Sequence, residues 1–89
     1  MTEKIVDLSD SPRATREQAE LLLQWCQEEQ PELYARWAAL EIADQSLGLV
    51  DSEVFRFVIP HLNTDDSSKQ TGTVFAMRTE IRRRHGAKV

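Results

Sequence analysis

Apolar side chains recur with helical spacing along much of the chain. In the first such stretch they occupy positions i, i+3, i+4 and i+7, which places them on one face of a helix. These residues are Ala19, Leu22, Leu23 and Cys26. Thr15 followed by Gln18 is the pattern of a capping box, in which each side chain satisfies a free backbone group at a helix start. The pattern predicts a first helix over residues 16–30, with this apolar face in the core.

Pro31 separates the first helix from a second one. Proline lacks a backbone donor and disfavours helical backbone angles in the residue before it, but it fits the first position of a new helix. Leu33, Trp37 and Leu40 form the main apolar stripe of a helix predicted over residues 31–46. Gly48 is placed to close that helix in the left-handed conformation.

The third segment has the pattern of either a helix or a strand. Asp51 is a candidate N-cap, and helical spacing relates the apolar residues Phe55, Val58, Ile59 and Leu62. Residues 54–59 are also rich in strand-forming side chains. Because Pro60 removes a hydrogen bond and crowds the preceding turn, we favour a short helix over residues 52–62 that ends or kinks near it.

Polar, turn-forming residues over positions 63–68 precede a fourth helix, predicted over residues 68–85. Ser67 and Gln70 offer a second capping box, and Gly86 is placed to end the helix. Its apolar face consists of Val74, Met77 and Ile81. The cationic residues that end this helix, His85 among them, complement the negative end of the helix dipole.

The first twelve residues contain few apolar anchors, which are Ile5, Val6 and Leu8, so we expect a loosely held arm. The complete pattern predicts an all-α fold. It is a small bundle of three to four helices over residues 13–89, preceded by a loosely ordered N-terminal arm over residues 1–12.

Composition agrees with one small folded domain. The chain has 89 residues, of which 40% are hydrophobic and 29% charged, and this is typical of globular rather than disordered proteins. No stretch approaches the roughly 18 apolar residues of a membrane helix, and the first residues lack the pattern of a signal peptide. The single cysteine, Cys26, has no disulfide partner, and its setting predicts core packing. We therefore expect a cytoplasmic protein without membrane contact.

Charge is distributed unevenly along the chain. Residues 1–66 carry 14 acidic and 5 basic side chains (−9), and residues 67–89 carry one acidic and six basic ones (+5), which gives the net charge of −4. Opposite charges at two ends favour association with charged partners. The two portions could equally pair with each other inside the fold, and the sequence leaves both alternatives open.

The first two helices are apolar on two sides. Leu21 and Trp25 lie opposite the core face of the first helix, and the side of the second helix away from its main stripe carries Tyr34, Ala38 and Ile42. Such a helix is either sandwiched between neighbours or forms an interface. Because Trp and Tyr are frequent at binding hot spots, the candidate protein-binding residues are Trp25, Tyr34 and Trp37.

The charged portions predict two further binding surfaces. Acidic residues of the first two helices, Glu28, Glu29 and Glu32 with Glu41 and Asp44, could occupy a basic groove of a nucleic-acid-handling protein and inhibit it by charge mimicry. In the alternative, the third and fourth segments form a DNA-binding helix-turn-helix. Its candidate contacts are Lys69, Gln70, Thr71, Thr73, Arg82, Arg83 and Arg84. The long connection and the negative net charge argue against that alternative.

No combination of residues predicts catalysis. His61, Asp65 and Asp66 are of the types that ligate metals, but without a second histidine or cysteine at a suitable spacing we interpret them as a solvated turn. Nucleophilic triads and phosphate-binding glycine loops are not identifiable. We predict a non-enzymatic regulator or adaptor that needs no cofactor and binds another protein or, as a homodimer, itself. A DNA-binding regulator is the alternative.

Overall fold

The computed structural model describes residues 5–85, which form four α-helices and one short 3-10 turn. The elements are α1 (Arg16–Glu29), α2 (Pro31–Ile42), α3 (Leu49–Val58), the 3-10 turn (Ile59–His61) and α4 (Ser67–Arg84). The fold is therefore all-α, as predicted. Gly86, the predicted end of the last helix, lies outside the described residues.

The start of α1 confirms the predicted capping box. The Thr15 hydroxyl accepts a hydrogen bond from the Gln18 backbone N–H at 3.2 Å, and the Gln18 side-chain oxygen accepts one from the Thr15 N–H at 2.8 Å. All four residues of the predicted apolar face are fully buried. This face packs against α4 and α2.

The end of α2 differs from the prediction, because the helix stops at Ile42 and Asp44 adopts the left-handed conformation with φ 56°. The Gln45 N–H donates to the Leu40 carbonyl at 2.9 Å, and the Asp44 N–H donates to the Glu41 carbonyl at 3.2 Å. These are the two hydrogen bonds of a Schellman motif. Aspartate tolerates the left-handed region better than most residues do, so it closes the helix before Gly48 is reached.

The third segment is a helix, so the strand alternative is wrong. It begins at Leu49 rather than Ser52, with Gly48 rather than Asp51 as its N-cap. The earlier start rotates the buried face to Val50, Val54 and Val58. Of the predicted stripe, Phe55 is half-buried, Ile59 is exposed and Leu62 is buried beyond the helix. Pro60 lies in the 3-10 turn, where the helix ends as expected.

The N-cap of α4 is Asp66, so the predicted capping box of Ser67 and Gln70 is wrong. The Asp66 carboxylate accepts a hydrogen bond from the Ser68 N–H at 2.9 Å. The Gln70 side chain instead donates to the Thr64 carbonyl at 3.2 Å. The predicted apolar face of this helix is buried.

The segment before α1 packs onto the helices more closely than its composition predicts. The Val6 N–H donates to the His61 carbonyl at 2.6 Å, and the Leu8 N–H donates to the Asn63 side chain at 2.8 Å. Val6 and Leu8 are buried in the core. A Cβ at Gly72 of α4 would lie 2.8 Å from the Arg13 Cβ, so glycine is what allows this close approach. The described part of the predicted arm therefore contributes to the core.

The second helix is sandwiched, since α2 contacts α1, α3 and α4. Trp37 is fully buried, and Tyr34 and Ala38 on the second apolar side are buried too. The two-sided pattern of α2 is therefore mostly intramolecular packing, whereas Leu21 on the outer side of α1 remains exposed. None of the helices in the described part of the chain has the length and apolar character that crossing a membrane requires.

Candidate protein-binding surface

Phe75 is the one aromatic residue that the described part of the chain leaves largely in solvent, with 54% of its surface exposed. It lies in the middle of α4, roughly opposite the buried residues Met77 and Ile81. The chain offers this ring no place in its own core. An exposed aromatic side chain of this size is a candidate anchor for a partner.

Three open grooves adjoin the Phe75 ring. One, of about 250 Å³, lies between α4 and α3, and another, of about 310 Å³, lies between α4 and α2. The third, of about 240 Å³, lies between α4 and the residues at the start of α1. We call the area around these grooves the Phe75 surface. It comprises Phe75, Arg13, Arg16, Thr71, Arg78, Thr79 and Arg82.

A buried carboxylate holds two of these arginines in place. The Glu41 side chain is only 1% exposed, and it accepts hydrogen bonds from Arg78 Nε and, at 3.1 Å, from Arg82 Nε. Trp37 Nε1 donates to the same carboxylate at 3.3 Å. Hydrogen bonds to Glu41 and then to Asp44 raise the pKa of Arg82. This network fixes both guanidinium groups on the α2 side of Phe75.

Glu80 is a second buried carboxylate, on α4 itself. One of its oxygens accepts a hydrogen bond from Arg83 at 2.9 Å. The other lies 3.5 Å from Arg16 Nε, which is close enough for an ion pair although the contact lacks hydrogen-bond geometry. The ion pair holds the Arg16 side chain against α4, on the α1 side of Phe75.

The guanidinium of Arg78 also lies 5.5 Å from the centre of the Phe75 ring, which is a cation–π contact. Phe75 is not among the binding residues predicted from the sequence. Helical spacing alone could have identified it, because it places Phe75 on the side of α4 opposite Met77 and Ile81. Leu21 lies opposite the core face of α1 in the same way.

The structure corrects two of the predicted protein-binding residues. Trp37 is fully buried, and Tyr34 is only 6% exposed. The Tyr34 hydroxyl lies 3.1 Å from His85 Nε2 and accepts a hydrogen bond from Arg84 at 3.3 Å. Side chains that complete their own core offer no surface to a partner, so neither ring forms an interface in this fold.

Trp25 and the acidic residues lie elsewhere. Trp25 is half-buried, and its ring centre lies 5.6 Å from that of His61, which also contacts Phe57 at 4.7 Å. Glu28, Glu29 and Glu32 are exposed near the corner between α1 and α2. The role of these four residues in binding stays a prediction. The His61 ring packs against the aromatic rings of Trp25 and Phe57. Residues 5–85 contain no group of three or more potential metal ligands.

Several predicted nucleic-acid contacts are engaged inside the protein. Thr73 is fully buried and its hydroxyl accepts a hydrogen bond from the Ala14 N–H at 3.3 Å, so it cannot reach a base. Lys69 donates to the Leu8 carbonyl at 2.9 Å, and Gln70 bonds Thr64 as described above. Thr71 is exposed.

The three terminal arginines pair with groups of the same protein. Arg82 binds Glu41 and, at 3.0 Å, Asp44, while Arg83 binds Glu80 and Arg84 binds the Tyr34 hydroxyl. Of the two alternatives that the charge distribution left open, internal pairing accounts for Arg82 and its acidic partners, Glu41 on α2 and Asp44 just after it.

Cys26 is a core residue, as predicted. Burial, and secondly the nearby charge of Glu29, raise the pKa of its thiol to about 11.

No protein-family model, curated protein or solved structure matches this chain.

Proposed function

We propose that this chain is a small, non-catalytic protein-binding domain that engages its partner through the Phe75 surface. One observation carries the proposal: Phe75 is 54% exposed at the point where three grooves meet. Full burial of a phenylalanine side chain stabilises by about 1.5 to 3 kcal/mol. Because Phe75 is 54% exposed, the fold forgoes about half of that free energy, and a partner that covers the ring would recover it.

The shape around Phe75 supports this role. Thr71 and Thr79 lie one helical turn before and after it on the same side of α4, and both are exposed. Because threonine is short, the ring stands out between grooves into which side chains of a partner can insert. The arginines, threonines and apolar groups of this surface can bind a partner by hydrogen bonds and packing. The domain would therefore act as a regulator or adaptor by binding to its partner and covering part of that partner's surface.

The acidic face of α1 supports a second candidate surface. Leu21 is 41% exposed there, between Glu17 and Glu28 on the outer side of the helix. An inhibitor that mimics nucleic-acid charge would use this face. The DNA-binding alternative has less support, because Thr73 is buried and Arg82 is bound to acidic groups of the domain.

Affinity capture from the host organism tests the proposal with one charge inserted at each surface. Tagged wild-type protein, Phe75→Glu and Leu21→Glu are compared, with circular dichroism to show that each is folded. We expect at least one protein to bind the wild type and Leu21→Glu but not Phe75→Glu, and purified components then give its affinity. If Phe75→Glu retains every partner of the wild type, the proposed surface is wrong. Loss with Leu21→Glu alone would favour the acidic face.

A further inference from the structure

We infer that the partner of the Phe75 surface presents an acidic segment, in which an apolar side chain is flanked by carboxylates. This inference rests on the proposed function above and specifies the chemistry of its partner. It follows from the hydrogen-bond donors, the buried acids and the apolar walls of the three grooves.

The Phe75 surface has more hydrogen-bond donors than acceptors. A guanidinium group carries five N–H donors. Arg78 uses its Nε on Glu41, and neither its terminal N–H groups nor any side-chain donor of Arg13 finds an acceptor within residues 5–85. A partner that matches this surface must supply acceptors, and carboxylates make the strongest and most directional bonds to guanidinium groups.

The acidic residues beneath the surface are covered, so a partner does not touch them. Their charge offsets part of that of the arginines they bind, whereas Arg13 has no acidic partner within residues 5–85. The side chains of Glu41 and Glu80 are 1% and 5% exposed, whereas Arg16 above Glu80 is 63% exposed. Each buried carboxylate contacts two arginines and limits their side-chain motion. Less side-chain entropy is therefore lost when a partner binds.

The grooves on the two sides of Phe75 differ in character, which orients the partner. The groove toward α3 has apolar walls from Phe55 and Val74, beside the polar side chains of Asp51, Thr71 and Arg78. The groove toward α1 contains Arg13 and Arg16, and its one carboxylate is the buried Glu80. The apolar side chain of the partner is thus expected in the groove toward α3, and at least one of its flanking carboxylates at the groove toward α1.

A nucleic acid would also satisfy the arginines, but two observations favour a protein. The groove between α3 and α4 has apolar walls from Phe55 and Val74, which the phosphates of a nucleic acid do not complement and which only an inserted base would cover. The chain also carries a net charge of −4, which repels a long polyanion.

A selection of random peptides, each long enough for about four helical turns, tests this inference on the full chain. Peptides that bind the wild type are retained, and those that also bind Phe75→Ala are removed. We expect the survivors to contain Asp or Glu on either side of an aromatic or aliphatic residue. Their affinity should fall when NaCl is raised from about 50 mM to about 500 mM, because salt screens exposed charges.

A matched pair of charge reversals then locates the contact. Arg13 and Arg56 are both exposed, and Arg56 lies on α3 outside the Phe75 surface. We expect Arg13→Glu to weaken peptide binding by about tenfold or more, as removal of a hot spot does, and Arg56→Glu to change it less than about twofold. Arg13→Glu keeps the Cβ that packs near Gly72, so the backbone contact between the two residues is unchanged.

The possible failures are distinguishable. If the survivors need Phe75 but carry no excess of acidic residues, or bind Arg13→Glu as well as the wild type, the acidic partner is wrong and the proposed function stands. If no peptide depends on Phe75, the proposed function itself fails. Tight binding of a single-stranded oligonucleotide to the wild type that Arg13→Glu abolishes would replace the protein partner with a nucleic acid.

Discussion

The Glu41 carboxylate is buried yet charged, which a fold retains only where hydrogen bonds and opposite charges replace the lost water. Three donors do so here, from Trp37, Arg78 and Arg82. Replacing the carboxylate by an amide leaves one acceptor oxygen and turns the other into an NH2 donor that faces an arginine, although both arginines are about one-third exposed and can reach water.

We expect Glu41→Gln to lower the free energy of unfolding by about 1 to 3 kcal/mol. The matched control is Glu53→Gln, because Glu53 pairs with Arg36 at 2.8 Å in an exposed position. Such surface pairs contribute about 0 to 1 kcal/mol. Urea denaturation of both variants measures the difference. Equal losses would mean that the buried network is no stronger than a surface ion pair.

Asp7 gives a second residue-level prediction, on pH. Hydrogen bonds from the Ser9 hydroxyl, the Ser9 backbone and the Asn63 side chain lower the pKa of its carboxyl from 3.8 to about 2. Because the folded-state pKa is the lower one, the ionised carboxylate stabilises the fold above pH 3.8, and that contribution is lost as the pH falls through about 2.

Carboxyl titration by NMR checks this prediction. Ser9→Ala should raise the pKa of Asp7, because it removes the strongest hydrogen bond to the carboxylate. Ser11→Ala, two residues further along, serves as the control and should leave that pKa unchanged. A wild-type Asp7 that titrates near 3.8 would show that these hydrogen bonds do not form in solution.

At the scale of elements, the predictions from the sequence differ from the structure mainly at the ends of helices. The start of α1 was predictable because Thr15 and Gln18 form a signal within one turn. The end of α2 was not, because Asp44 and Gly48 both adopt positive φ, and the sequence does not show that the helix already ends before the first of them. The helix α3 also begins earlier than predicted, and therefore different residues form its buried face.

Gly48 tests the connection between α2 and α3. Its backbone, at φ 55° and ψ −130°, lies in a region that other residues rarely adopt, and no atom lies within 4 Å of an added Cβ. Gly48→Ala should therefore destabilise the fold by about 1 to 2 kcal/mol through backbone strain alone. Ser46→Ala in the same exposed connection is the control, expected within about 0.5 kcal/mol of the wild type. Thermal unfolding compares them, and an unchanged melting temperature for Gly48→Ala would contradict the assigned conformation.

At the scale of the whole molecule, the opposite charges of the two portions partly cancel inside the fold. The sequence shows the totals of −9 and +5, but it does not show that Arg82 reaches two acids at the end of α2 and just beyond it, or that Glu80 is buried. For the same reason the candidate site was only partly predictable. Trp37 is apolar enough for either core or interface, and only the packing of α2 between three helices places it in the core.

Replacing two arginines near the end of α4, one at a time, tests whether their charges are paired inside the protein or solvated. Arg82→Ala should lower the free energy of unfolding more than Arg84→Ala does, because it removes bonds to the buried Glu41 carboxylate and to Asp44. Arg84→Ala should lower it by less than about 1 kcal/mol, because Arg84 is exposed and its hydrogen bond within residues 5–85 is to the Tyr34 hydroxyl. Urea denaturation at low and moderate salt compares the two. Equal, small losses would show that Arg82 is solvated.

The burial of Cys26 gives the chain its own reporter of unfolding. It is the one thiol in the sequence, it is fully enclosed, and its pKa of about 11 leaves little thiolate at neutral pH. Alkylating reagents need both access and thiolate, so modification follows the rare openings that release α1 from the core. The rate of alkylation in native buffer therefore measures how often the bundle opens, and the variants above can be ranked in this way without denaturant or an attached dye.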